Sequence, residues 1–428
     1  MRSKKLSGGL IAILCGFALT MLMTATTTAA QTEKVLYGFT DNSSGSSPVS
    51  VTFDAAGNMY GTLSQGGNGV CPNRTEGCGE VFELSPNGNG GWTRKTLHEF
   101  PTNGSDGFYP QAKLIFDAAG NLYGTTLYGG SRHEGTVFEL SPQANGNWTE
   151  KILHDFSNDG TDGKFPWAGV VFDAAGNLYG TTFGGGTYTI CEGGCGVVFE
   201  LSPAGNGTWT EKILLNFGSD YTDAYAPDFG PLIFDAAGNL YGTSGGGGTY
   251  GSGTAFEISP AASGSWTETI LHSFGSGSGD GSLPQGGLTF DAAGNLYGTT
   301  YYGGAYNFGM AFELTPAGGG TWSETIMHSF DGETGDGTLP RANLILDSSG
   351  NVYGTTTGGG ANIVGTVFEL SPGSGGSWTE TILHSFQDNV KDGEHPGASL
   401  IFGSSGNIYG TTAGGGEKSG GTVFEITP

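Results

Sequence analysis

Short apolar segments, separated by clusters of Gly, Pro, Asn and Asp, recur along almost the whole chain. One stretch shows the four kinds of segment, at residues 110–117, 121–126, 135–140 and 148–156. All four are rich in β-branched and aromatic residues, which predicts strands. The runs Leu-Ile-Phe and Val-Phe-x-Leu are apolar on both faces of such a strand. Strands of this kind are sandwiched between two layers of structure.

The link between the first two segments is Asp-Ala-Ala-Gly-Asn or a close variant, and it occurs seven times. Its glycine is Gly57, Gly120, Gly176, Gly238, Gly294, Gly350 and Gly406, at spacings of 63, 56, 62, 56, 56 and 56 residues. A period this regular indicates one supersecondary unit that is copied and stacked. The link itself predicts a tight hairpin, because its glycine can adopt the positive φ that the turn requires.

These units predict an all-β fold, a seven-bladed β-propeller of four-stranded antiparallel blades, since packing around an axis covers both faces of each sheet. Residues 32–39 copy the fourth strand, and the chain ends on 421–426, a copy of the third. We therefore expect the N-terminal strand to complete the last blade and hide its edge. An open solenoid would not need matching ends. The expected blades are residues 48–100, 110–156, 166–217, 227–274, 284–330, 340–386, and 396–428 plus 32–39, in one domain of residues 31–428.

Residues 1–30 have the layout of a signal peptide. Arg2, Lys4 and Lys5 precede an apolar run from about residue 10 to 23, followed by small residues up to Ala30. Cleavage after Ala30 would send the protein to the periplasm, the cell surface or the medium. An uncleaved membrane anchor is the alternative, although the run is short for a spanning helix.

The charge of the chain narrows the range of partners. The formal net charge is −25, and removal of residues 1–30 leaves 12 − 40 = −28. Such a surface repels nucleic acid and anionic lipid. Cations, neutral polysaccharides or other proteins are the partners that remain, and we expect a monomer with no membrane contact beyond the signal segment.

Four cysteines follow the signal segment, in two close pairs: Cys71 with Cys78, and Cys191 with Cys195. Both pairs lie on insertions just before a third strand. In an exported protein such pairs indicate disulfides that hold loops. A metal site built from all four thiolates would require the loops of the first and third repeats to meet.

The pattern Leu-Tyr-Gly-Thr-Thr-x-Gly-Gly-Gly followed by Gly-Thr-Val-Phe-Glu-Leu resembles the GloVer tandem repeat of bacterial exported proteins, over roughly residues 32–428. That family carries varied C-terminal anchors, whereas this chain ends on its last strand, so no anchor is expected. The family has no settled activity, and the resemblance implies no chemistry. The Asp-x-x-Gly-Asn-Leu-Tyr hairpin is also similar to that of NHL-type and gluconolactonase-like propellers, which bears on the fold alone.

One face of the propeller should carry the variation between repeats. It holds the loops after the second strand and after the fourth, and we name it the variable face. Aromatic residues gather there, and they are candidate ligand-binding residues because rings stack on the apolar faces of sugars or peptides. The alternative is that the rings plug the channel or pack on neighbouring loops. The candidates are Phe108, Tyr109, Phe165, Trp167, Tyr188, Tyr225, Tyr250, Tyr302 and Tyr306.

The loop before most first strands carries Asp-Gly-x-x-Pro. Its aspartates are Asp106, Asp162, Asp223, Asp280, Asp336 and Asp392, and we expect them to ring the mouth of the central channel. Such a ring favours a hard cation such as Ca²⁺, the one cofactor that we consider. The alternative is an Asx turn in each loop, which recurrence in six blades favours.

Other polar residues recur once per blade and predict structural roles. The repeated histidines are His98, His154, His272, His328 and His384, which the symmetry keeps too far apart to share one metal. The repeated glutamates are Glu83, Glu139, Glu200, Glu257, Glu313, Glu369 and Glu425, which we expect to bond a neighbouring blade. His133 and His395 are unique and lie on the variable face, where either could act as an acid or base.

The sequence therefore favours an exported binding or structural scaffold, with a glycan or protein ligand on the variable face. It contains no Gly-x-Ser-x-Gly, His-Glu-x-x-His, P-loop or dinucleotide motif, and so no recognisable catalytic signature. The alternative is a polysaccharide-degrading enzyme that uses loop carboxylates, because sequence does not reveal the separation of acid pairs.

Overall fold

The computed structural model describes residues 32–40, 45–67, 71, 77–101, 106–333 and 335–428. The predicted signal segment lies outside these residues. The described chain forms seven four-stranded antiparallel blades in a ring, which confirms the predicted propeller. Within these ranges the one helical element is a short 3₁₀ turn, Ser374–Gly376.

The second, third and fourth strands of each blade form a regular ladder. The second strands are Met59–Gln65, Leu122–Thr126, Leu178–Thr182, Leu240–Ser244, Leu296–Thr300, Val352–Gly359 and Ile408–Thr412. The third strands are Glu80–Pro86, Thr136–Pro142, Val197–Pro203, Thr254–Pro260, Met310–Gly318, Thr366–Pro372 and Ser419–Thr427. The fourth strands are Trp92–Glu99, Trp148–Asp155, Trp209–Asn216, Trp266–Ser273, Thr321–Ser329, Trp378–Ser385 and, for blade 7, Thr32–Thr40.

The first strand of blade 1 is Ser46–Phe53, but those of the other six blades have only two residues and are shorter than the sequence predicts. These six are Ile115–Phe116, Val171–Phe172, Ile233–Phe234, Thr289–Phe290, Ile345–Leu346 and Ile401–Phe402. The chain just before most of these strands bonds the preceding blade instead of its own sheet: Thr125 Oγ1, for example, donates to the carbonyl of Ala168 at 3.0 Å. This hydrogen bond joins adjacent blades beside the first strand.

Short two-residue ribbons extend five blades toward the variable face, each joining the Asp-Gly loop to the chain after a second strand. They are Gly107–Phe108 with Tyr128–Gly129, Gly163–Lys164 with Gly184–Gly185, Ala224–Tyr225 with Gly246–Gly247, Gly281–Ser282 with Tyr302–Gly303, and Gly393–Glu394 with Gly414–Gly415. In blade 6, Gly337–Pro340 pairs with the long second strand in the same way.

The N-terminal strand closes the ring as predicted. Thr32–Thr40 pairs antiparallel with Ser419–Thr427, so the sheet order in blade 7 ends on the first strand in the described chain. Phe39 is only 1% exposed, and its ring centroid lies 5.0 Å from that of Phe82 in blade 1. The two ends of the described chain are therefore joined by hydrogen bonds and by core packing.

The core consists of layers between adjacent blades. In the layer between blades 2 and 3, Tyr123 and Phe156 pack with Leu178 and Phe199, all of them buried. Second strands such as Leu122–Thr126 are buried at every position, on both faces. In the third strands, whose run Val-Phe-x-Leu is apolar on both faces, Val137, Phe138 and Leu140 are buried as that pattern predicts. Each blade therefore depends on its neighbours.

The Asp-Ala-Ala-Gly-Asn hairpins are organised by their aspartate. In blade 3 the Asp173 carboxylate accepts hydrogen bonds from Ala175 N, Asn177 N and Asn177 Nδ2, each at 2.8 Å, and from the Tyr179 hydroxyl at 3.2 Å. These donors outweigh the effect of burial and lower the pKa of Asp173. Gly176 has φ +87°, the positive value that the turn requires.

Both predicted disulfides are present, Cys71–Cys78 and Cys191–Cys195. The pairing rules out a site formed by four free thiolates. Disulfides are typical of proteins that fold in the periplasm or outside the cell. Within the described residues we find no helix long and apolar enough to cross a bilayer.

Candidate functional site

The first strands of all seven blades surround a central cavity of about 410 Å³. They are therefore innermost, and the fourth strands form the outer rim. Apolar side chains such as those of Ile115, Val171 and Ile345 line the cavity. Lys113 also lines it, and burial lowers the pKa of its ammonium group.

One sequence position varies between the blades, and in four of them, at Val49, Gln111, Arg341 and Gly397, it lines the axial cavity. It follows the proline at the start of each first segment, and its occupants are Val49, Gln111, Trp167, Asp228, Gln285, Arg341 and Gly397. The proline itself recurs in all seven blades, whereas the residues on either side of it vary. Our sequence reasoning passed over this position, apart from Trp167, because it considered aromatic loops and aspartates.

A strained backbone residue places each of these side chains. The residue before the proline has a positive φ in all seven blades: Ser47, Tyr109, Phe165, Ala226, Leu283, Leu339 and His395. In blade 2, the Tyr109 N–H donates to Cys78 O of the preceding blade at 2.8 Å, and Leu127 N–H donates to Tyr109 O at 3.1 Å. This conformation is uncommon for non-glycine residues and persists only where surrounding bonds hold it.

A second cavity, of about 620 Å³, opens from the axis onto the variable face. We name it the mouth cavity; its lining includes Gln111, Tyr301, Arg341, Ile363, His395 and Gly397. It lies on one side of the axis because two adjacent blades carry only Val49 and Gly397 at the variable position. Large side chains fill the other side.

The filled side of the channel is a compact group of aromatic and charged residues. The ring centroids of Trp167 and Phe229 lie 4.6 Å apart, and the Arg341 guanidinium lies 4.5 Å from the Phe229 ring centroid. Gln285 Nε2 donates to Asp228 Oδ2 at 3.2 Å. Burial raises the pKa of the Asp228 carboxyl to about 6, against the opposing charge of Arg341 and the Gln285 hydrogen bond.

This shift predicts a pH-dependent contribution of Asp228 to stability. Because its pKa is raised in the folded state, the contribution is full below about pH 4 and is lost as the pH rises through about 6. Measured relative to Asp228→Asn, the free energy of unfolding of wild type should be about 2 kcal/mol higher at about pH 4.5 than at about pH 7.5. Urea unfolding of both proteins at the two pH values measures it.

Asp220→Asn is the control for that experiment. The Asp220 carboxylate accepts hydrogen bonds from Thr222 Oγ1 and Thr222 N, which lower its pKa, so its pH dependence should have the opposite sign. Parallel pH profiles for the two variants would show that Asp228 does not hold its proton more tightly in the folded protein.

The predicted aromatic candidates are distributed over the variable face, and none lines the mouth cavity. Phe108, Tyr109 and Phe165 lie around Tyr128, with ring centroids 5.5–6.2 Å from it. Trp167 packs on Phe229, as the plug alternative expected. Four of the others are exposed: Tyr188, Tyr250, Tyr302 and Tyr306. Tyr225 lies against Gly246, where an added Cβ would be 2.0 Å from the ring. Their role as ligand-binding residues stays a prediction.

The expected aspartate ring at the channel mouth is wrong. Asp106, Asp162, Asp223, Asp280, Asp336 and Asp392 are absent from the lining of both axial cavities. All of these except Asp223 contact the repeated histidine on the outermost strand of the preceding blade. The loop crosses from rim to axis, so its aspartate stays at the rim while the proline reaches the centre. Calcium binding stays a prediction, but a single ring of ligands is excluded.

Each of these contacts belongs to a three-residue cluster between adjacent blades, which we name a junction triad. The described residues contain five: His98–Asp106–Glu150, His154–Asp162–Glu211, His272–Asp280–Glu324, His328–Asp336–Glu380 and His384–Asp392–Glu33. Histidine and aspartate come from one blade and its following loop, and glutamate from the fourth strand of the next. The sequence analysis noted the histidines and the loop aspartates as two separate sets, and it did not identify the fourth-strand glutamates.

Electrostatics within the triads shift several pKa values. Burial, and then the neighbouring aspartate, raise the pKa of Glu150 to about 9. Burial raises the pKa of Glu324 to about 7, with Asp280 adding to the shift and His272 opposing it. Burial alone would lower the pKa of His272, but Asp280 and Glu324 raise it overall. The triads therefore bring two carboxyl groups and a protonatable imidazole together in a mostly buried space.

Two further sets of residues were candidates in the sequence: the repeated third-strand glutamates, and the histidines His133 and His395. The repeated third-strand glutamates bond within their own blade: Glu139 Oε1 accepts from Ser141 Oγ at 2.9 Å, and Glu425 Oε1 accepts from the Tyr409 hydroxyl at 2.7 Å. The expected bond to a neighbouring blade is therefore wrong for these two. His133 is exposed on the variable face, and His395 lines the mouth cavity.

Comparison with known proteins gives the family and the fold. A family model described as the Gloeobacter/Verrucomicrobia repeat matches residues 20–166, 72–292, 146–346 and 267–428. The extracellular domain of a putative one component system from B. thetaiotaomicron is similar in structure, with a TM-score of 0.53 and 12% sequence identity, covering 92% of this chain and 40% of that one. A putative 6-phosphogluconolactonase from Bacteroides uniformis gives a TM-score of 0.48 at 13% identity, covering 85% of this chain and 89% of its own.

This chain thus spans 40% of the length of the first of these solved structures. At 12% identity the likeness concerns the fold alone. The search of curated proteins found no match.

Proposed function

We propose that this chain, which belongs to the Gloeobacter/Verrucomicrobia repeat family, is an exported binding scaffold that holds a carbohydrate ligand in its mouth cavity. The single observation that carries this proposal is that side chains that differ from blade to blade, among them Gln111, Arg341 and His395, line one opening of an otherwise repetitive ring. Repeated residues serve the architecture of every blade alike. Residues that differ from blade to blade, yet meet at one place, are those free to serve a ligand.

The chemistry of the mouth cavity suits a sugar. Arg341, Gln111 and His395 offer hydrogen-bond donors and acceptors, and Tyr301 and Ile363 add apolar surface. Binding sites are commonly apolar pockets with a few polar groups that fix orientation. The volume of about 620 Å³ is in the range of ligand sites in proteins. The aromatic group around Tyr128 would give a longer chain a second contact on the same face.

An extracellular or periplasmic location supports a polysaccharide ligand. The two disulfides favour an oxidising compartment, and the signal-like segment at residues 1–30 would provide export. A formal net charge of −25 disfavours nucleic acid and anionic lipid and leaves neutral polymers as ligands. Function would then be attachment or capture of glycans near the cell.

A glycan array probed with the labelled protein tests the proposal, followed by titration calorimetry with any glycan retained. Gly397→Gln should fill the mouth cavity, because a Cβ at Gly397 already lies 3.3 Å from Arg341 Cδ. We expect it to weaken binding tenfold or more, on the order of 1.4 kcal/mol or more. His395→Asn keeps a residue that tolerates positive φ and should weaken binding severalfold.

Tyr221→Ala is the matched control, since it removes an aromatic ring that is 71% exposed on the same face but outside the mouth cavity. Its affinity should equal that of wild type. Retention of no glycan by the wild-type protein would overturn the carbohydrate proposal. Equal weakening by all three variants would show that the mouth cavity is not the site.

The alternative, a polysaccharide-degrading enzyme, has one observation in its favour. Asp228, beside the filled half of the channel, has a pKa raised to about 6 by burial, which suits an acid or base near neutral pH. The loop carboxylates that this alternative first assigned lie instead in the junction triads or, for Asp223, away from both cavities. Release of reducing ends from a retained glycan, lost in Asp228→Asn, would establish the enzyme.

A further inference from the structure

The junction triads bring metal-binding side chains together at the outer rim, far along the sheet from the mouth cavity. Each combines an imidazole nitrogen with two carboxylate oxygens, and the three atoms lie within 4.8 Å of one another. In the triad of blades 4 and 5, the Asp280 side chain is 5% exposed, Glu324 15% and His272 18%. Three separate chain segments thus present ligand atoms to one small, mostly buried volume.

The distances within the triads fit the edges of a coordination polyhedron. From histidine Nε2 to the nearest aspartate oxygen they are 3.2, 3.3, 3.5, 3.3 and 3.0 Å in chain order. From Nε2 to glutamate they are 3.5, 3.3, 3.6 and 3.5 Å where blades 1 to 6 meet in triads. Most exceed the usual N–H···O separation of about 2.9 Å. A tetrahedral ion about 2.1 Å from each ligand atom places those atoms about 3.4 Å apart.

Several buried atoms of the triads lack hydrogen-bond partners. They are Oε1 of Glu33, Glu150, Glu211, Glu324 and Glu380, and Nε2 of His272. Oε1 of Glu268, at the junction of blades 3 and 4 that has no histidine, is unpartnered as well. Buried polar atoms in folded proteins are almost always bonded, and each exception needs an explanation. A cation at the centre of each triad would explain the glutamates of the triads and His272 together.

The two remaining junctions of the ring provide an internal comparison. For blades 7 and 1 the three corresponding sequence positions are Tyr37, Ser44 and Arg94, of which Ser44 lies outside the described residues, so all three potential ligands are replaced at once. There Arg94 pairs with Glu80 instead. Between blades 3 and 4 only the histidine is lost, with Leu215 in its place beside Asp223 and Glu268. Joint replacement of three positions that are far apart in the chain indicates that they share one role.

We propose that the five junction triads bind divalent transition-metal ions, Zn²⁺ foremost, and that these ions fasten adjacent blades together at the rim. One imidazole and two carboxylates are ligands that Zn²⁺ commonly takes, leaving a fourth position for water. Ca²⁺ prefers six to eight oxygen ligands and would not select the histidine. The ion would also neutralise two carboxylates that are otherwise buried side by side.

The triad at Glu33 gives the proposal a consequence for closure. Glu33 lies on the N-terminal strand, whereas His384 and Asp392 belong to blade 6 and its following loop. A metal ion there would hold the closing strand to a second blade, in addition to its ladder with Ser419–Thr427.

The test counts ions on the purified protein. The protein is stripped with a chelator, dialysed against Zn²⁺ and analysed by mass spectrometry for bound metal, with Co²⁺ as a spectroscopic probe of nitrogen and oxygen ligation. We expect about five ions per chain, one for each triad. His272→Ala should bind one ion fewer. Leu215→His should create a triad with Asp223 and Glu268 and bind one ion more.

Tyr37→Phe is the control, because its junction lacks all three ligands, and its ion count should equal that of wild type. A count that is zero, or that neither His272→Ala nor Leu215→His changes, would overturn the proposal. So would selective retention of Ca²⁺ over Zn²⁺. If His272→Ala fails to fold, Leu215→His alone decides, since it adds a ligand without removing one.

Discussion

Deletion of Thr32–Thr40 should leave a protein that no longer folds stably into a closed ring. This strand supplies the fourth strand of blade 7 and pairs with Ser419–Thr427 from Thr32 opposite Thr427 to Thr40 opposite Ser419. Its loss would expose the edge of a strand that carries Val423 and Phe424, both fully buried. It would also remove Phe39 from the core between blades 7 and 1.

Deletion of Thr32–Thr40 should cause a large loss of folding stability. Truncation of a buried phenylalanine alone costs about 3–5 kcal/mol, and Phe39→Ala should reach that range. Deletion of the whole strand adds the lost ladder and an exposed edge that can pair with other chains. We therefore expect a fall in the melting temperature of many degrees, together with aggregation seen by size-exclusion chromatography.

A chain in which this strand is moved to the other end distinguishes the effect of an open ring from the effect of losing the residues. In it, the Thr32–Thr40 segment follows Thr427 through a turn copied from residues 142–147, which makes blade 7 continuous like the other blades. This protein should regain most of the wild-type stability. A deletion variant that melts within a few degrees of wild type would show that the ring does not depend on its closing strand.

Gly298→Val should destabilise the protein by about 3 kcal/mol, the upper part of the range for overpacked cores. Gly298 lies in the second strand of blade 5, where an added Cβ would be 2.5 Å from Phe312 Cζ and 3.2 Å from Leu288 Cδ2. Phe312 is fully buried and has no free space to move into. The same close approach recurs at Gly61, Gly124, Gly180, Gly242, Gly354 and Gly410, with distances of 2.5–2.7 Å to a phenylalanine ring.

Gly205→Val is the matched control, because nothing lies within 4 Å of a Cβ at that position and its φ is not positive. It should change the free energy of unfolding by less than about 0.5 kcal/mol. A second change, Phe312→Leu, should restore part of the stability in the Gly298→Val background while lowering it in wild type. Additive effects of the two substitutions would show that Phe312 is not what excludes a larger side chain at Gly298.

The elements and their order could be predicted because local chemistry decides them. Hairpins such as the one at Asp173 contain all their own hydrogen-bonding groups within seven residues. The apolar pattern on both faces of runs such as Val-Phe-x-Leu at residues 137–140 required a layer on each side, which neighbouring blades provide. The matching ends of the repeat pattern then required closure by Thr32–Thr40.

The candidate site was predicted less well, because it depends on where a loop passes through space. Asp106 and Gln111 are five positions apart, yet one lies at the rim and the other at the axis. Sequence reasoning placed the aspartate at the channel mouth because both residues belong to one recurring motif. The variability at the position after the proline was visible in the sequence, and it is the signal that could have identified the mouth cavity.

By itself the sequence determined the number of blades, the strands in each, the closing strand and the two disulfides. These follow from periodicity, from burial on two faces and from cysteines that are near neighbours in the chain. Only the tertiary structure decided which residues meet across blades, such as His272 with Glu324, and which side of the channel stays open at Gly397. The reason is that a repeat specifies one blade, whereas these contacts arise between blades, where small and large side chains from different copies share one space.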